Sequence, residues 1–165
     1  MPTTSDVTAA DRRGFVAGAL TFGFGLGGLA DGIVLHQVLQ WHHLASRRIA
    51  DGDRDGLASN VFWDGVFHAA TVVVLLVGFV LLYRSWERRD RATGNLAALG
   101  GLALIGWGAF HVVDQLVFHE LLDLHDIREG VADVALYNWG FFAIGLVLAA
   151  AGWLLLRTRG RIGPP

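Results

Sequence analysis

The stretch DGIVLHQVLQWHH, residues 31–43, sets Asp31, His36, His42 and His43 at the end of a glycine-rich apolar run. Imidazole and carboxylate groups are ligands for Zn, Fe, Mn and Cu(II), and they also carry protons in general acid–base chemistry. The same types recur downstream. Asp64 and His68 are four apart, and His111 and Asp114 three apart. His119, Glu120, Asp123, His125 and Asp126 follow. Residues three or four apart share a helical face, so each of those two pairs could grip one ion. Asp31 and His36 are five apart, about 140° around an ideal α-helix. They chelate a common ion only if the glycine-rich helix bends.

These polar groups interrupt apolar segments long enough to cross a bilayer, roughly 14–45, 60–83, 95–122 and 133–156. About 20 helical residues cross the hydrocarbon core. A charged group near its centre costs at least about 2.5 kcal/mol on insertion scales, so such groups usually face an interior and work there. Counted by helical rise from assumed boundaries at 40, 61 and 123, His36, Asp64 and His119 lie roughly 5 Å below one membrane surface. Asp31, His68 and Asp114 lie roughly 10–14 Å down, with His111 deeper. The expected metal ligands are therefore His36, His68, His119, Asp31, Asp64, Asp114 and His111. His42, His43 and His125 are expected at an entrance on the same side. Every intramembrane ionisable group falls in one half of the membrane, which puts transport last among the functions.

Composition agrees with a membrane protein. Of the 165 residues, 53% are hydrophobic, and mean hydropathy is +0.47. The apolar segments leave room for one four-helix membrane domain, residues 14–157, with tails at 1–13 and 158–165. The polar first thirteen residues do not read as a signal peptide. A net charge of −2 offers no basic surface for nucleic acid. With no Cys and Met1 the only Met, thiolate and internal thioether ligands are excluded, which argues against a Cu(I) relay. Nine of the thirteen arginines lie in the termini and the connection between the second and third segments, including Arg84, Arg88, Arg89 and Arg91. The positive-inside rule then sets both termini in the cytoplasm, in a plasma membrane, with the histidines facing outward. The acidic loop ADGDRDG, residues 50–56, lacks calcium-loop spacing and reads as solvated.

The chain also repeats itself. At an offset of 83, Asp31 overlays Asp114, His36 overlays His119, His42 overlays His125, and Gly23-Phe24-Gly25 overlays Gly106-Trp107-Gly108. The second and fourth segments overlay at 74, matching Trp63-Asp64 with Tyr137-Asn138 and Phe67 with Phe141. The fold expected is all-α: a polytopic membrane four-helix bundle made of two repeated helical hairpins. Binding sites tend to form where such repeats meet.

The stretches GFGLGGLADGIVLHQVLQWHHL, DGVFHA, and GWGAF followed by LHDIRE resemble a family of small predicted membrane proteins, the domain of unknown function 2243. The likeness covers nearly all of the chain after residue 13. It implies the four-helix fold, and a divergent member. The family pattern has Asn at His111, Glu at Asp114, Asp at Phe118, His at Glu120 and Asp126, and Asp at Asn138. The resemblance also implies a genomic neighbourhood of copper-loading factors for respiratory oxidases, and so a respiratory-chain partner.

From these residues the favoured function is binding one or two transition-metal ions, Cu, Zn, Fe or Mn, in a His/Asp pocket in the outward half of the bundle. If catalytic, the protein would be a metal-dependent oxidoreductase or hydrolase acting on water, dioxygen or reactive oxygen species. The alternatives are a metal-handling or assembly factor for a respiratory oxidase, a b-type haem held by His36 and His119, and a purely structural membrane subunit. A homo-oligomeric membrane partner is compatible with each.

Overall fold

The computed structural model describes residues 9–87 and 94–162. The first and last tail residues, and Arg88, Arg89 and Arg91 of the orientation argument, lie outside them. The described chain is all-α. Helix α1 spans Ala9–Asp31 and runs without a break into a π-helix, π1, Gly32–Val38. Helix α2 spans Arg54–Glu87, α3 spans Leu96–Val113 and continues into π2, Asp114–Leu121, and α4 spans Val134–Arg159. Four helical stretches are long and apolar enough to cross a membrane: Ala10–Val38, Arg54–Glu87, Leu96–Leu121 and Val134–Arg159.

Local chemistry sets the helix starts. Asn95 caps α3, its side chain accepting from Ala98 N–H at 2.8 Å, and Asp133 caps α4 by accepting from Leu136 N–H at 3.1 Å. Asp53 accepts from Gly56 N–H at 2.8 Å. The acidic loop therefore starts α2 at Arg54, earlier than the apolar run alone indicates, because a side-chain acceptor satisfies an otherwise orphaned N–H of the first turn. The first membrane helix ends at Val38, short of residue 45.

The helices pack in the order α2–α1–α3–α4. Among the described residues α2 and α4 do not touch, so α1 and α3 form the centre and the other two turn broad apolar faces outward. Phe62, Phe79, Val147 and Trp153 are all more than half exposed on those faces, as a bilayer solvent requires. Asp31 and Asp114, on the central pair, are both buried. Two small cores hold the ends. Phe15, Ala19, Ala98 and Leu102 pack near the termini. Phe67, Phe110, Ile127 and Phe141 pack beneath the loops 39–53 and 122–133.

Backbone contact through glycine holds the central pair. A Cβ on Gly23 would strike the Ala103 backbone, and one on Gly106, its repeat mate, would strike the Leu20 carbonyl. Dispersion between close backbones substitutes for the hydrophobic effect that lipid does not supply. The prediction is that Gly23→Val or Gly106→Val destabilises the detergent-solubilised protein by about 1–3 kcal/mol or more. Gly65→Ala, where no atom lies within 4 Å of the added carbon, should not. Equal unfolding midpoints for all three in a denaturant titration would remove the close packing from the account.

Candidate metal centre

The π-helices decide the geometry. Hydrogen bonding from i to i+5 widens the turn, so residues five apart come onto one face. His36 Nε2 lies 3.4 Å from Asp31 Oδ2, and His119 Nε2 lies 2.9 Å from Asp114 Oδ2. The bend that the Asp31–His36 spacing demands is thus a π-helix, built at matched positions in both hairpins.

Each π-helix stops at a residue in the left-handed region, Gln40 (φ 49°) and Asp123 (φ 50°), again 83 apart. Neither is glycine, and such a conformation persists only where surrounding contacts over-determine it. The turn folds the chain back over the helix end, and the second residue beyond it is His42 or His125. Both were expected at a wet entrance. They are instead 3% and 1% exposed, with rings stacked 4.5 Å apart. His42 also lies 4.3 Å from the His36 ring, and His125 lies 4.3 Å from the His119 ring. A depth count along a straight helix missed them because the chain does not keep rising past Val38. The repeat already carried the signal, since His42 and His125 match as strictly as His36 and His119.

The ring orientations are fixed in a symmetric way. His42 Nδ1–H donates to the Ile127 carbonyl at 2.8 Å, and His125 Nδ1–H donates to the Leu44 carbonyl at 2.9 Å. Leu44 and Ile127 are themselves repeat mates, so each loop holds the other's histidine. His36 Nδ1–H donates to Asp64 Oδ1 at 2.8 Å. Asp64 also accepts from Leu44 N–H at 2.8 Å and from His43 Nδ1–H at 2.6 Å. Fully buried and three times hydrogen-bonded, Asp64 orients its neighbours, and His43 points at it rather than at the ring cluster.

With Nδ1 engaged in all three rings, the lone pairs of Nε2 are what remain. His36 Nε2 and His42 Nε2 stand 2.9 Å apart, and His125 Nε2 has no protein partner. One ligand atom from each of His36, His42 and His125 lies within 4.8 Å of the other two, and the same holds for Asp114, His119 and His125. Burial, reinforced by the neighbouring His36, pushes His42 down to about 4. Burial likewise drives His125 well below the usual histidine range, with His42 and His119 adding to it. Both rings are therefore neutral near neutral pH, as metal-binding imidazoles must be. Two facing nitrogen lone pairs at 2.9 Å repel unless a proton or a cation lies between them. These groups could hold a metal ion.

The halves differ in what holds the outer nitrogen of the paired histidines. Asn138 takes the place of Asp64. It accepts from Ile127 N–H at 2.9 Å as Asp64 does from Leu44, and it donates to Asp126 at 2.8 Å where Asp64 accepts from His43. His119 Nδ1 is left without a partner. The Nδ1 of His36 is thus held by a carboxylate and the Nδ1 of His119 is not.

Four expected ligands are outside these groups: Asp31 and Asp64, which contact His36, and His68 and His111, which stand aside. His68 Nδ1–H donates to the carbonyl of Asp64 in its own helix at 2.6 Å, and its ring is 6.4 Å from His36. His111 Nε2 accepts from Trp107 Nε1–H at 3.1 Å, and its ring packs 3.9 Å from Phe141. Around the rim, Arg47 pairs with Asp123 at 3.1 Å and Asp126 at 2.9 Å, while Arg48 donates to the Leu122 carbonyl at 2.8 Å. These arginines, which run against the charge asymmetry, join the two loops to each other. Gln115, not singled out by its sequence, is fully buried beside Asp114 and donates to Glu120 at 3.0 Å.

The tautomers make a direct test. Nitrogen-15 NMR of metal-free protein should show His42 and His125 as neutral Nδ1–H rings from about pH 8 to about pH 5.5, below the ordinary histidine midpoint. Titration near 6.5, or a proton on Nε2 in both rings, would contradict the arrangement.

A family model for predicted membrane proteins, DUF2243, matches residues 17–159. No curated protein and no solved structure matches the chain. With the match running from the first helix to the last, the chain belongs to the DUF2243 family of predicted membrane proteins.

Proposed function

We propose that this protein binds a transition-metal ion in the membrane, through the Nε2 atoms of His36, His42 and His125, with Asp114 and His119 forming an adjoining half-site that shares His125. The observation that carries it is the convergence of three buried histidines, one ring nitrogen of each within 4.8 Å of the other two, whose Nδ1–H groups are each pinned by an acceptor. Such outer partners are what orient a metal-ligating imidazole and fix its tautomer. An imidazole-rich set without sulfur suits Zn or Cu(II), then Fe, ahead of Mn. Haem fits this geometry less well than an ion, because the rings of His42 and His125 occupy the space between His36 and His119.

The chain's own groups have distinct roles. His36 and His42 present lone pairs. Asp64 holds His36 in register and accepts from His43, which is 15% exposed and is the partly open side of the cluster. Asp31, close to His36 Nε2, is placed to neutralise a bound cation or to take the proton it displaces. Asp114 and His119 share a hydrogen bond in which a proton can be held 2.9 Å from donor to acceptor. A bound metal would supply Lewis acidity or redox chemistry at this point. The arginine distribution supports a centre at the extracytoplasmic end of the bundle, with metal or substrate arriving from outside.

Elemental analysis of purified variants tests the assignment. His36→Ala, His42→Ala and His125→Ala should each lose most of the bound metal while remaining folded by gel filtration. His68→Ala and His111→Ala should retain it. Asp64→Asn should weaken metal binding by about 10–100-fold, the usual effect of removing an outer partner. Full occupancy in His42→Ala and His125→Ala would show that these rings are packing residues.

A further inference from the structure

A cavity of about 420 Å³ lies beside the histidine cluster, in the groove between α1 and α4 over α3. Its floor includes Gly27, Ala30 and Asp31 of α1 and His111 of α3, and Gly140 and Phe141 of α4 form the far wall. Trp41, Trp107 and Tyr137 add aromatic surface. Rim residues Val34, Leu136 and Ile144 are 45%, 66% and 54% exposed, so the groove opens sideways to the lipid.

Two observations mark it as more than a packing gap. First, the duplication is broken here. The repeat mates of Gly27, Ala30 and Gly140 are Phe110, Val113 and Val66, and the Phe110 ring fills its side by packing 5.5 Å from Phe24. Small residues open the groove on one side of the pseudo-axis only. Second, the floor carries an unsatisfied acceptor. Asp31 is 6% exposed; its Oδ2 lies toward His36, but its Oδ1 has no hydrogen-bond partner. A buried oxygen of this kind calls for a donor. The His111 Nε2 lone pair is already taken by Trp107, which leaves Asp31 Oδ1 as the acceptor for a ligand hydroxyl, beside an unpartnered His111 Nδ1 on the same lining.

We infer that this groove binds a lipid-soluble aromatic alcohol, a phenol or hydroquinone carrying an apolar tail. Its ring lies among Trp41, Trp107 and Tyr137, and its hydroxyl donates to Asp31 Oδ1. The volume suits a small ring with part of its tail, since ligand pockets run from about 300 to 1,000 Å³. Lateral access from the bilayer suits a ligand that partitions into lipid. The same carboxylate then touches both the bound hydroxyl and the histidine cluster, which would set a lipid-borne alcohol next to the centre proposed above. Binding itself needs no metal.

Native mass spectrometry of the chelator-treated, detergent-solubilised protein reads this directly, titrated with 4-decylphenol and with 4-decylanisole, its methyl ether. The phenol should bind one-to-one and saturably, at least about tenfold tighter than the ether, which is one hydrogen bond to a charged group. Gly140→Leu, at a position with no atom within 4 Å of an added Cβ, should fold normally and abolish phenol binding by filling the groove. Asp31→Asn should shrink the preference for phenol over ether. Equal binding of phenol and ether would mean a site for acyl chains, and undiminished phenol binding by Gly140→Leu would place the ligand elsewhere. Either result overturns the inference and leaves the metal site untouched, because metal is absent throughout.

Discussion

Two hydrogen bonds, from His42 Nδ1–H to the Ile127 carbonyl and from His125 Nδ1–H to the Leu44 carbonyl, tie the two hairpins together at their loop end. Each loop completes the other's histidine. Neither hairpin alone can bury its polar residues, because the acceptor that satisfies the ring belongs to the opposite half. The same reciprocity extends to the backbone, where Arg47 N–H donates to the Leu124 carbonyl and Glu129 N–H to the Trp41 carbonyl. In lipid an unpaired polar group is costly, so this crossing of partners makes the buried cluster and the association of the hairpins one and the same event.

Much of this was legible in the sequence. The four spans, the duplication and the crowding of ionisable groups at one end follow from hydropathy and from two offsets. What the sequence concealed is a change of helical period. Asp31 and His36, or Asp114 and His119, diverge on an α-helix and converge on a π-helix, and no propensity of the residues in GIVLHQV announces the wider turn. The left-handed stops at Gln40 and Asp123 were hidden for a related reason: neither is glycine. Both errors pushed His42 and His125 outward in the expected picture, when the turn folds them inward. His68 and His111 show the opposite failure. Their spacing to Asp64 and Asp114 is right for a shared face, yet hydrogen bonds to Asp64 O and from Trp107 occupy one nitrogen of each.

Where the halves diverge is as informative as where they agree. The loop clamps, the π-helices and the central glycines are matched, and these are the parts that assemble the structure. The unmatched positions lie around the cluster: Asp64 against Asn138, His43 against Asp126, Gly28 against His111, and the small residues of the groove against Phe110 and two valines. A symmetric scaffold thus carries an asymmetric interior. The Nδ1 of His36 is backed by a carboxylate and that of His119 is not, and one side is packed where the other is open.

X-ray absorption at the metal edge of the loaded protein tests the central claim most directly. The account predicts a first shell with at least two imidazole nitrogens at about 2.0–2.1 Å, as for histidine-bound zinc. A shell of oxygen atoms alone, with no imidazole scattering, would contradict it, and would assign the metal to the carboxylates of the surface loop at Asp51, Asp53 and Asp55.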